Sequence, residues 1–301
     1  MRVYFRTARR IRPNSRCGNG KNDPGCGGRR LKVKIALIQQ HATPDREENL
    51  ERGVRAAEEA ASRGARLAVF PELAFLRFFP QRRRREQPPP HAETIPGPTT
   101  ELFAGLARKH GMVIVLNLFE REGDRTYDSS PVIDADGRLV GVTRMIHIME
   151  GPCYHETDFY HPGDRGAAVF DTAVGRLGVA ICYDRHYPEY MRALGVKGAE
   201  VVVVPQAGSV GEWPPGVFEA ELQIAGFQNG YFAALANRVG AEDCLTFAGE
   251  SFVADPMGRV IARAPAGQDH ILHCELDFSL LNECAARRHF LPDRRPDCYP
   301  L

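Results

Sequence analysis

Two side chains that could act together in covalent catalysis follow predicted buried strands. Cys182 follows the apolar residues 178–181, and Glu72 follows the apolar residues 67–70. The residues after Cys182 predict a sharp turn into a helix, where backbone amides and the helix start lower a thiol pKa and donate to an oxyanion. A carboxylate directly after a buried strand requires a partner, and near a thiol it is the natural base. The two residues are a candidate nucleophile and base, although the spacing alone also fits a structural cysteine.

Other polar side chains near this pair could bind a ligand. Arg185, three residues after Cys182, would face the same mouth of the sheet, where its guanidinium suits a ligand carboxylate. An arginine in a surface ion pair is an equally good interpretation of this residue. His147, His155 and His186 lack any spacing typical of metal ligands, so we expect no metal site and no cofactor.

Two βαβ units are predicted to position these residues, because apolar strand-length runs alternate with helical patterns. In chain order, their strands and helices are predicted over 33–38, about 45–62, 67–70, 178–182, 188–196 and 200–204. Active sites of open α/β sheets lie beyond the carboxyl ends of the strands, which is where Glu72 and Cys182 are placed. The pattern therefore indicates an α/β protein with helices outside its sheets.

The segment between the two units is predicted to contain more strands and one long loop. A strand is expected over 112–118, and a hairpin turn at 134–137 leads into a strand over 138–148. Residues 149–165 then form a polar loop whose length suggests a functional role.

Composition restricts the class of partner. The 301 residues include 39 Lys and Arg and 38 Asp and Glu, but nine of the basic residues and one acidic residue lie within 1–30. The rest of the chain is therefore mildly acidic, which argues against a nucleic-acid partner. No run approaches the roughly 18 apolar residues of a membrane span, so we expect no membrane partner. Eight irregularly spaced cysteines predict a reduced cytoplasmic protein rather than a disulfide scaffold.

Six motifs in order resemble those of the nitrilase superfamily of carbon–nitrogen hydrolases. They are FPEL at 70–73, IPGPTTE at 95–101, VIDADG at 132–137, FYHPGD at 159–164, GRLGVAICYD at 175–184 and ANRVG at 236–240. The resemblance covers residues 32–277 and extends to the β-ureidopropionase and N-carbamoyl-amino-acid amidohydrolase branches. It implies a four-layer αββα sandwich, a small-molecule amide or carbamoyl substrate, and a homodimer or higher homo-oligomer.

The resemblance also implies a role for each matching residue. Cys182 would be the nucleophile of a thioester-type acyl-enzyme, Glu72 the general base, and Glu156 a second carboxylate that positions the substrate. The Tyr183 backbone N–H would donate to the oxyanion. The residues expected to bind substrate are Arg185, which would hold a substrate carboxylate, and His147, His155 and Asn237.

One departure from the family pattern concerns catalysis directly. The family places a lysine two residues before the histidine, but position 145 is Met145 and residues 110–196 contain no lysine. Arg144 should point to the opposite face of the strand unless the strand bulges. Losing one oxyanion donor typically costs on the order of 10²–10³ in rate. Asp128, where the family often has asparagine, is a second departure.

These departures leave two hypotheses. The first is an amidohydrolase of reduced activity that cleaves an N-carbamoyl amino acid or a related carboxylated amide. The second is a catalytically silent relative that binds a ligand or partner through the same fold. In either case the sequence predicts a disordered basic extension over 1–30 and a carbon–nitrogen hydrolase domain over 31–301.

Overall fold

The computed structural model describes residues 32–87 and 90–299, and the predicted extension over 1–30 lies outside them. The helices of the described residues are α1 (Arg46–Ser62), α2 (Pro98–His110), α3 (Pro188–Val196), α4 (Val217–Asn229) and α5 (Leu280–Glu283). The strands are β1 (Lys32–Gln39), β2 (Leu67–Val69), β3 (Val113–Val115), β4 (Leu118–Glu122), β5 (Arg125–Ile133), β6 (Leu139–Arg144), β7 (Glu150–Gly151), β8 (Tyr154–His155), β9 (Val169–Thr172), β10 (Gly175–Val179), β11 (Val201–Gln206), β12 (Phe232–Asn237), β13 (Val239–Ala241), β14 (Thr246–Ala248), β15 (Phe252–Ala254), β16 (Val260–Arg263) and β17 (His270–Asp277).

Two large sheets carry most of these strands. The first has the order β17-β1-β2-β3-β5-β4, with β6 paired to β5, and the second has the order β16-β15-β12-β11-β10-β9. Both predicted βαβ units are confirmed, since β1 pairs in parallel with β2 and β10 pairs in parallel with β11. The predicted hairpin after β5 is also confirmed by its antiparallel pairing with β6.

Alternating apolar side chains on the strands create four layers. In β1, Ile35 and Leu37 face the core between the two sheets, whereas Ala36 and Ile38 face the core under α1 and α2. The second sheet repeats this arrangement, with Val203 in the core between the sheets and Val202 and Val204 in the core under α3 and α4. Because the period of a strand is two residues, each buried strand is apolar on both faces. The expected αββα sandwich is confirmed.

Two predicted strands are wrong in their extent. In both cases hydrogen bonds between backbone amides and a polar side chain explain the difference. The strand expected over 112–118 divides into β3 and β4, because the side chain of Asn117 accepts a hydrogen bond from Leu73 N at 2.7 Å. The strand expected over 138–148 ends at Arg144. The amide of Met145 still donates to Asp128 O on β5, but those of Ile146 and His147 donate to the carboxylate of Asp184 instead.

The prediction of a fully reduced protein is wrong for one pair of cysteines. Cys153 and Cys244 form a disulfide, and they are 91 positions apart in the sequence, so spacing gave no indication of it. The bond joins the 149–165 loop to the segment between β13 and β14. Among the described residues, no helix combines the length and the apolar character that crossing a membrane requires.

Candidate active site

Cys182 begins a short 3₁₀ helix, Cys182–His186, which lies between β10 and α3. Its φ of 42° lies in the left-handed region, which costs a non-glycine residue on the order of 1–3 kcal/mol and is frequent at functional sites. The side chain is buried, and Gln206 Nε2 at the end of β11 donates to its Sγ at 3.3 Å. The predicted sharp turn is therefore present, and it fixes the direction of the thiol.

Glu72 lies at a second strained turn, after β2. Leu73, the next residue, has a φ of 46°. Arg238 is buried and its Nη1 donates to the carbonyl oxygens of Glu72 at 2.9 Å and Leu73 at 2.6 Å, while its Nη2 pairs with Glu242. This arginine lies within the ANRVG motif at 236–240, but the sequence predicted no role for it. It holds the backbone from which the Glu72 carboxyl projects.

The Glu72 carboxyl lies within a cluster of acidic groups around the thiol. Burial raises its pKa well above the ordinary value, and Asp128 and Glu156 raise it further, whereas the interaction with Cys182 lowers it. Burial likewise raises the pKa of Glu156 to about 8 and that of Asp128 to about 7. The pKa of the Cys182 thiol is raised by burial and then by Glu72, Glu156 and Glu212. The lowered thiol pKa expected from the helix start is therefore wrong, because these carboxyl groups and burial outweigh it.

Asp128 and Glu156 each accept a hydrogen bond at one carboxyl oxygen. Asn117 Nδ2 donates to Asp128 Oδ1 at 2.5 Å, and Met149 N donates to Glu156 Oε2 at 2.9 Å. Both carboxyl groups are buried. Glu156 was predicted for this site, whereas Asp128 was noted only as a departure from the family pattern.

Met145 does not place a charge in this cluster. Its side chain is fully buried in the core between the two sheets. Arg144 is 1 % exposed and turns to the other side, where it forms ion pairs with Glu120 at 2.7 Å and Asp164 at 3.1 Å and stacks over Tyr127. The alternation of the strand is thus kept, and Arg144 does not replace the missing lysine.

Arg185 is buried beside the thiol and is already engaged. Its Nε donates to Gln206 Oε1 at 3.0 Å, its Nη1 pairs with Glu221, and its guanidinium lies 4.3 Å from the ring centre of Phe218. Through Gln206 it is connected to the Cys182 thiol. Its Nη2 is buried without a hydrogen-bond partner among the described residues, and a contact with a substrate carboxylate stays a prediction.

The two predicted histidines are each held by a carboxylate. His147 Nδ1 lies 2.7 Å from Asp184 Oδ1, and its ring stacks on Tyr187 with the centres 3.4 Å apart. His155 Nδ1 lies 3.2 Å from Glu150 in the long loop. Asp184 itself is fully buried and anchors the chain directly after Met145. A substrate contact for either histidine stays a prediction.

Asn237 has a structural role rather than a free amide. Its Nδ2 donates to the carbonyl oxygens of Gly208 and Gly249, and its Oδ1 accepts from Gly208 N at 2.8 Å. These bonds fix the loop after β11, and they give no support to the predicted contact of Asn237 with substrate.

Tyr183 is the second residue of the 3₁₀ turn, where a backbone N–H precedes the first intrahelical bond. A contact of this N–H with an oxyanion stays a prediction.

The structure also bears on metal binding. Within residues 32–87 and 90–299, no three His, Cys, Asp or Glu side chains are grouped in a way that could hold a metal ion. His147, His155 and His186 instead have Asp184, Glu150 and Glu221 as their respective partners.

A family model described as carbon-nitrogen hydrolase matches residues 34–286. The chain belongs to this family. A solved amidase from Nesterenkonia AN1, described as belonging to the nitrilase superfamily, has a TM-score of 0.74 and 26% identity, covering 89% of this chain and 95% of that one. Another structure of that amidase has the acetamide moiety of fluoroacetamide added covalently at its active site cysteine.

Two curated relatives extend along nearly the whole chain. A citrullinase of Francisella tularensis subsp. tularensis is 32% identical over 278 residues, covering 89% of this chain and 96% of its own length. An N-carbamoylputrescine amidase of Arabidopsis thaliana is 31% identical over 290 residues, covering 91% and 96%. Together with the family model, they support an amide or carbamoyl hydrolase.

Proposed function

We propose that this carbon–nitrogen hydrolase cleaves an N-carbamoyl amino acid or a related carboxylated amide through a Cys182 acyl-enzyme. The observation that carries the proposal is the buried thiol of Cys182 next to the buried carboxyl of Glu72, each at a strained turn after a strand. Strained backbone is retained where the surrounding structure enforces it, and here it directs both side chains to the same point.

The chemistry follows from these two groups. Glu72 takes the proton of the Cys182 thiol as sulfur attacks the carbonyl carbon, and the carbonyl electron pair moves to oxygen. When that oxyanion collapses, the C–N bond breaks and the leaving nitrogen takes the proton from Glu72. A water molecule then attacks the thioester carbon and gives one proton to Glu72. The C–S bond breaks, the acid leaves, and Glu72 returns that proton to the Cys182 sulfur. Glu156 is buried with its Oε1 free of partners in the described chain, and it would accept a hydrogen bond from the substrate N–H.

Arg185 supports a substrate that carries a carboxylate. Its Nη2 is available, and its neighbour Phe218 also lines a cleft of about 480 Å³ with Ser209, Glu212 and Trp213. A cleft of this size accepts a small-molecule tail. Glu221 and Glu212 add negative charge around Arg185, which favours a tail that carries both an amino group and a carboxylate over a simple acid.

The assay is ammonia release from N-carbamoyl-β-alanine, N-carbamoyl amino acids including L-citrulline, and N-carbamoylputrescine. Cys182→Ser should lose at least about 10³ in kcat, whereas Cys274→Ser, a matched buried free thiol, should leave kcat unchanged. If neither the native chain nor Met145→Lys turns over any of these compounds, the proposal is wrong. A silent native chain with an active Met145→Lys would support the silent-relative hypothesis.

The carboxylate assignment has its own test. Arg185→Ala should raise KM for the carboxylated substrates by 10-fold or more, because a charged hydrogen bond contributes about 1.5–3 kcal/mol. KM for N-carbamoylputrescine, which carries no carboxylate, should change much less. An unchanged KM for the acidic substrates would exclude this role for Arg185.

Self-association completes the proposal. Val196 on α3 and Val217 and Ile224 on α4 expose apolar side chains on the helical face near Cys182. Pairing across this face would cover them, as the resemblance implies. Light scattering should give a dimer or larger species for the native chain and a smaller one for Ile224→Glu; identical masses would contradict this interface.

A further inference from the structure

Several buried polar atoms around Cys182 have no hydrogen-bond partner among the described residues. They are both carboxyl oxygens of Glu72, Asp128 Oδ2, Glu156 Oε1 and the hydroxyl of Tyr160. Buried polar atoms are paired in the great majority of cases, so a set of this kind calls for a functional explanation. Tyr160 has no role in the chemistry derived above.

The Tyr160 side chain is buried, and its hydroxyl has no partner among the described residues. After burial, the charges of Asp128, Glu72 and Glu156, and then Cys182, raise its pKa well above the ordinary value, so all four groups lie within electrostatic reach of this oxygen. Tyr160 and Met145 both belong to the core between the sheets that also contains Cys182.

The position of Tyr160 is fixed by packing and by the backbone. Its ring contacts Phe119 and Phe79 edge-on, with ring centres 5.7 Å and 6.0 Å apart. Its N–H donates to Glu156 O at 2.9 Å, and Gly163, three residues later, donates to Met145 O at 2.8 Å. The segment that carries the tyrosine therefore runs alongside the position where the resemblance places a lysine.

These atoms include both hydrogen-bond acceptors and a donor, as the N–H and the carbonyl oxygen of an amide or ureido group require. Glu72 must ionise to act as a base, and the ionised carboxyl groups are acceptors that suit the substrate N–H. Tyr160, with its raised pKa, keeps its proton over the same pH range and remains a donor. A donor in this cluster suits the substrate carbonyl oxygen.

We propose that the Tyr160 hydroxyl donates a hydrogen bond to the carbonyl oxygen of the substrate and replaces the donor that Met145 cannot supply. The inference rests on the proposed function. As the Cys182 sulfur bonds to the carbonyl carbon, the electron pair that moves to oxygen is stabilised by the Tyr160 O–H and the Tyr183 N–H. Neither donor gives up its proton, and the proton on Glu72 goes to the leaving nitrogen.

The test is Tyr160→Phe in the full chain, which keeps the ring and removes the hydroxyl. We expect kcat to fall by about 10²–10³ with KM changed less than about 3-fold and with an unchanged pH profile. Tyr231→Phe is the matched control, because this buried hydroxyl bonds only to structural groups, Asn229 and the Met191 carbonyl, among the described residues; its kcat should equal that of the native chain.

A rescue experiment separates a donor from a packing role. The double variant Met145→Lys/Tyr160→Phe should recover kcat to within about 10-fold of the native value, because an ammonium supplies the missing donor. No recovery, a native-like kcat in Tyr160→Phe, or a loss that appears as a shifted acidic limb of the pH profile would each overturn the inference.

The remaining outcomes are also decisive. If the native chain is active and Tyr160→Phe equals it, only this inference fails; if the native chain is silent, the proposed function and the inference fail together. Should Tyr160→Phe not fold, site-specific 3-fluorotyrosine at position 160 replaces it. Its more acidic hydroxyl is a stronger donor, so kcat should change, and an identical kcat would overturn the inference.

Discussion

At the scale of single residues, the charge balance around Cys182 depends on Met145. Glu72, Asp128 and Glu156 are buried near the thiol, and each has a raised pKa because burial disfavours its charged form and its neighbours are also acidic. An ammonium at position 145 would offset this repulsion. Because position 145 is a methionine, this repulsion is not offset, and the carboxyl groups stay protonated near neutral pH.

Because these carboxyl groups are protonated near neutral pH, we expect the activity to increase at alkaline pH. A carboxyl with a raised pKa is protonated below that pKa, so the ionised base appears only as the pH rises. The pKa values near 7 for Asp128 and near 8 for Glu156 mark this range. We expect kcat/KM to increase between about pH 6 and about pH 9 with the midpoint of its acidic limb at or above about 7.

Two substitutions at position 145 test whether the missing ammonium causes this pH dependence. Met145→Lys should move the acidic limb down by about 1 unit or more, since a cation within about 4–6 Å favours an ionised carboxyl. Met145→Leu, which keeps the apolar volume, should not move it. A native acidic limb near pH 5 would contradict the predicted protonation.

At the scale of elements, the active site is formed by the turns after β2 and β10 rather than by the strands. The Glu72–Leu73 turn depends on Arg238, whose guanidinium donates to both of its carbonyl oxygens and to that of Leu76. Because Arg238 and Glu242 are both buried, removing either leaves the other charge uncompensated.

Arg238→Met should therefore lower the free energy of unfolding by about 3–5 kcal/mol and reduce kcat as well. Arg55→Met is the control, since Arg55 is 64% exposed and its ion pair with Glu51 is worth at most about 1 kcal/mol. Urea unfolding of the native chain and both variants measures the difference. Equal stability of the two variants would show that the turn does not depend on this arginine.

The elements that the sequence predicted correctly are those with a clear apolar period. Both βαβ units followed from β-length runs such as 201–204, and they placed Glu72 and Cys182 at strand ends. The failures came from long-range polar contacts. Neither the Asn117 bond that separates β3 from β4 nor the Asp184 bonds that end β6 leaves any local pattern, since the partners are distant in the sequence. The inward position of Tyr160 was missed for the same reason.

At the scale of the whole molecule, the predicted extension should be dispensable. The family match begins at residue 34, and the described strands begin at Lys32. We expect removal of residues 1–30 to leave the melting temperature, the number of protomers per particle and kcat unchanged. Thermal unfolding, light scattering and the ammonia assay measure these three quantities, and loss of soluble protein on truncation would contradict the prediction.

The Cys153–Cys244 disulfide determines what a proteolytic cut would do to the chain. It closes a covalent ring that contains Cys182, both helices α3 and α4, and the loop with the exposed residue Val210. Exposed loop tips are where proteases cut, but a single cut inside a closed ring leaves one connected molecule. A nick in this loop would therefore separate the chain into fragments only after reduction, and the nucleophile would stay covalently attached to both halves of the sandwich.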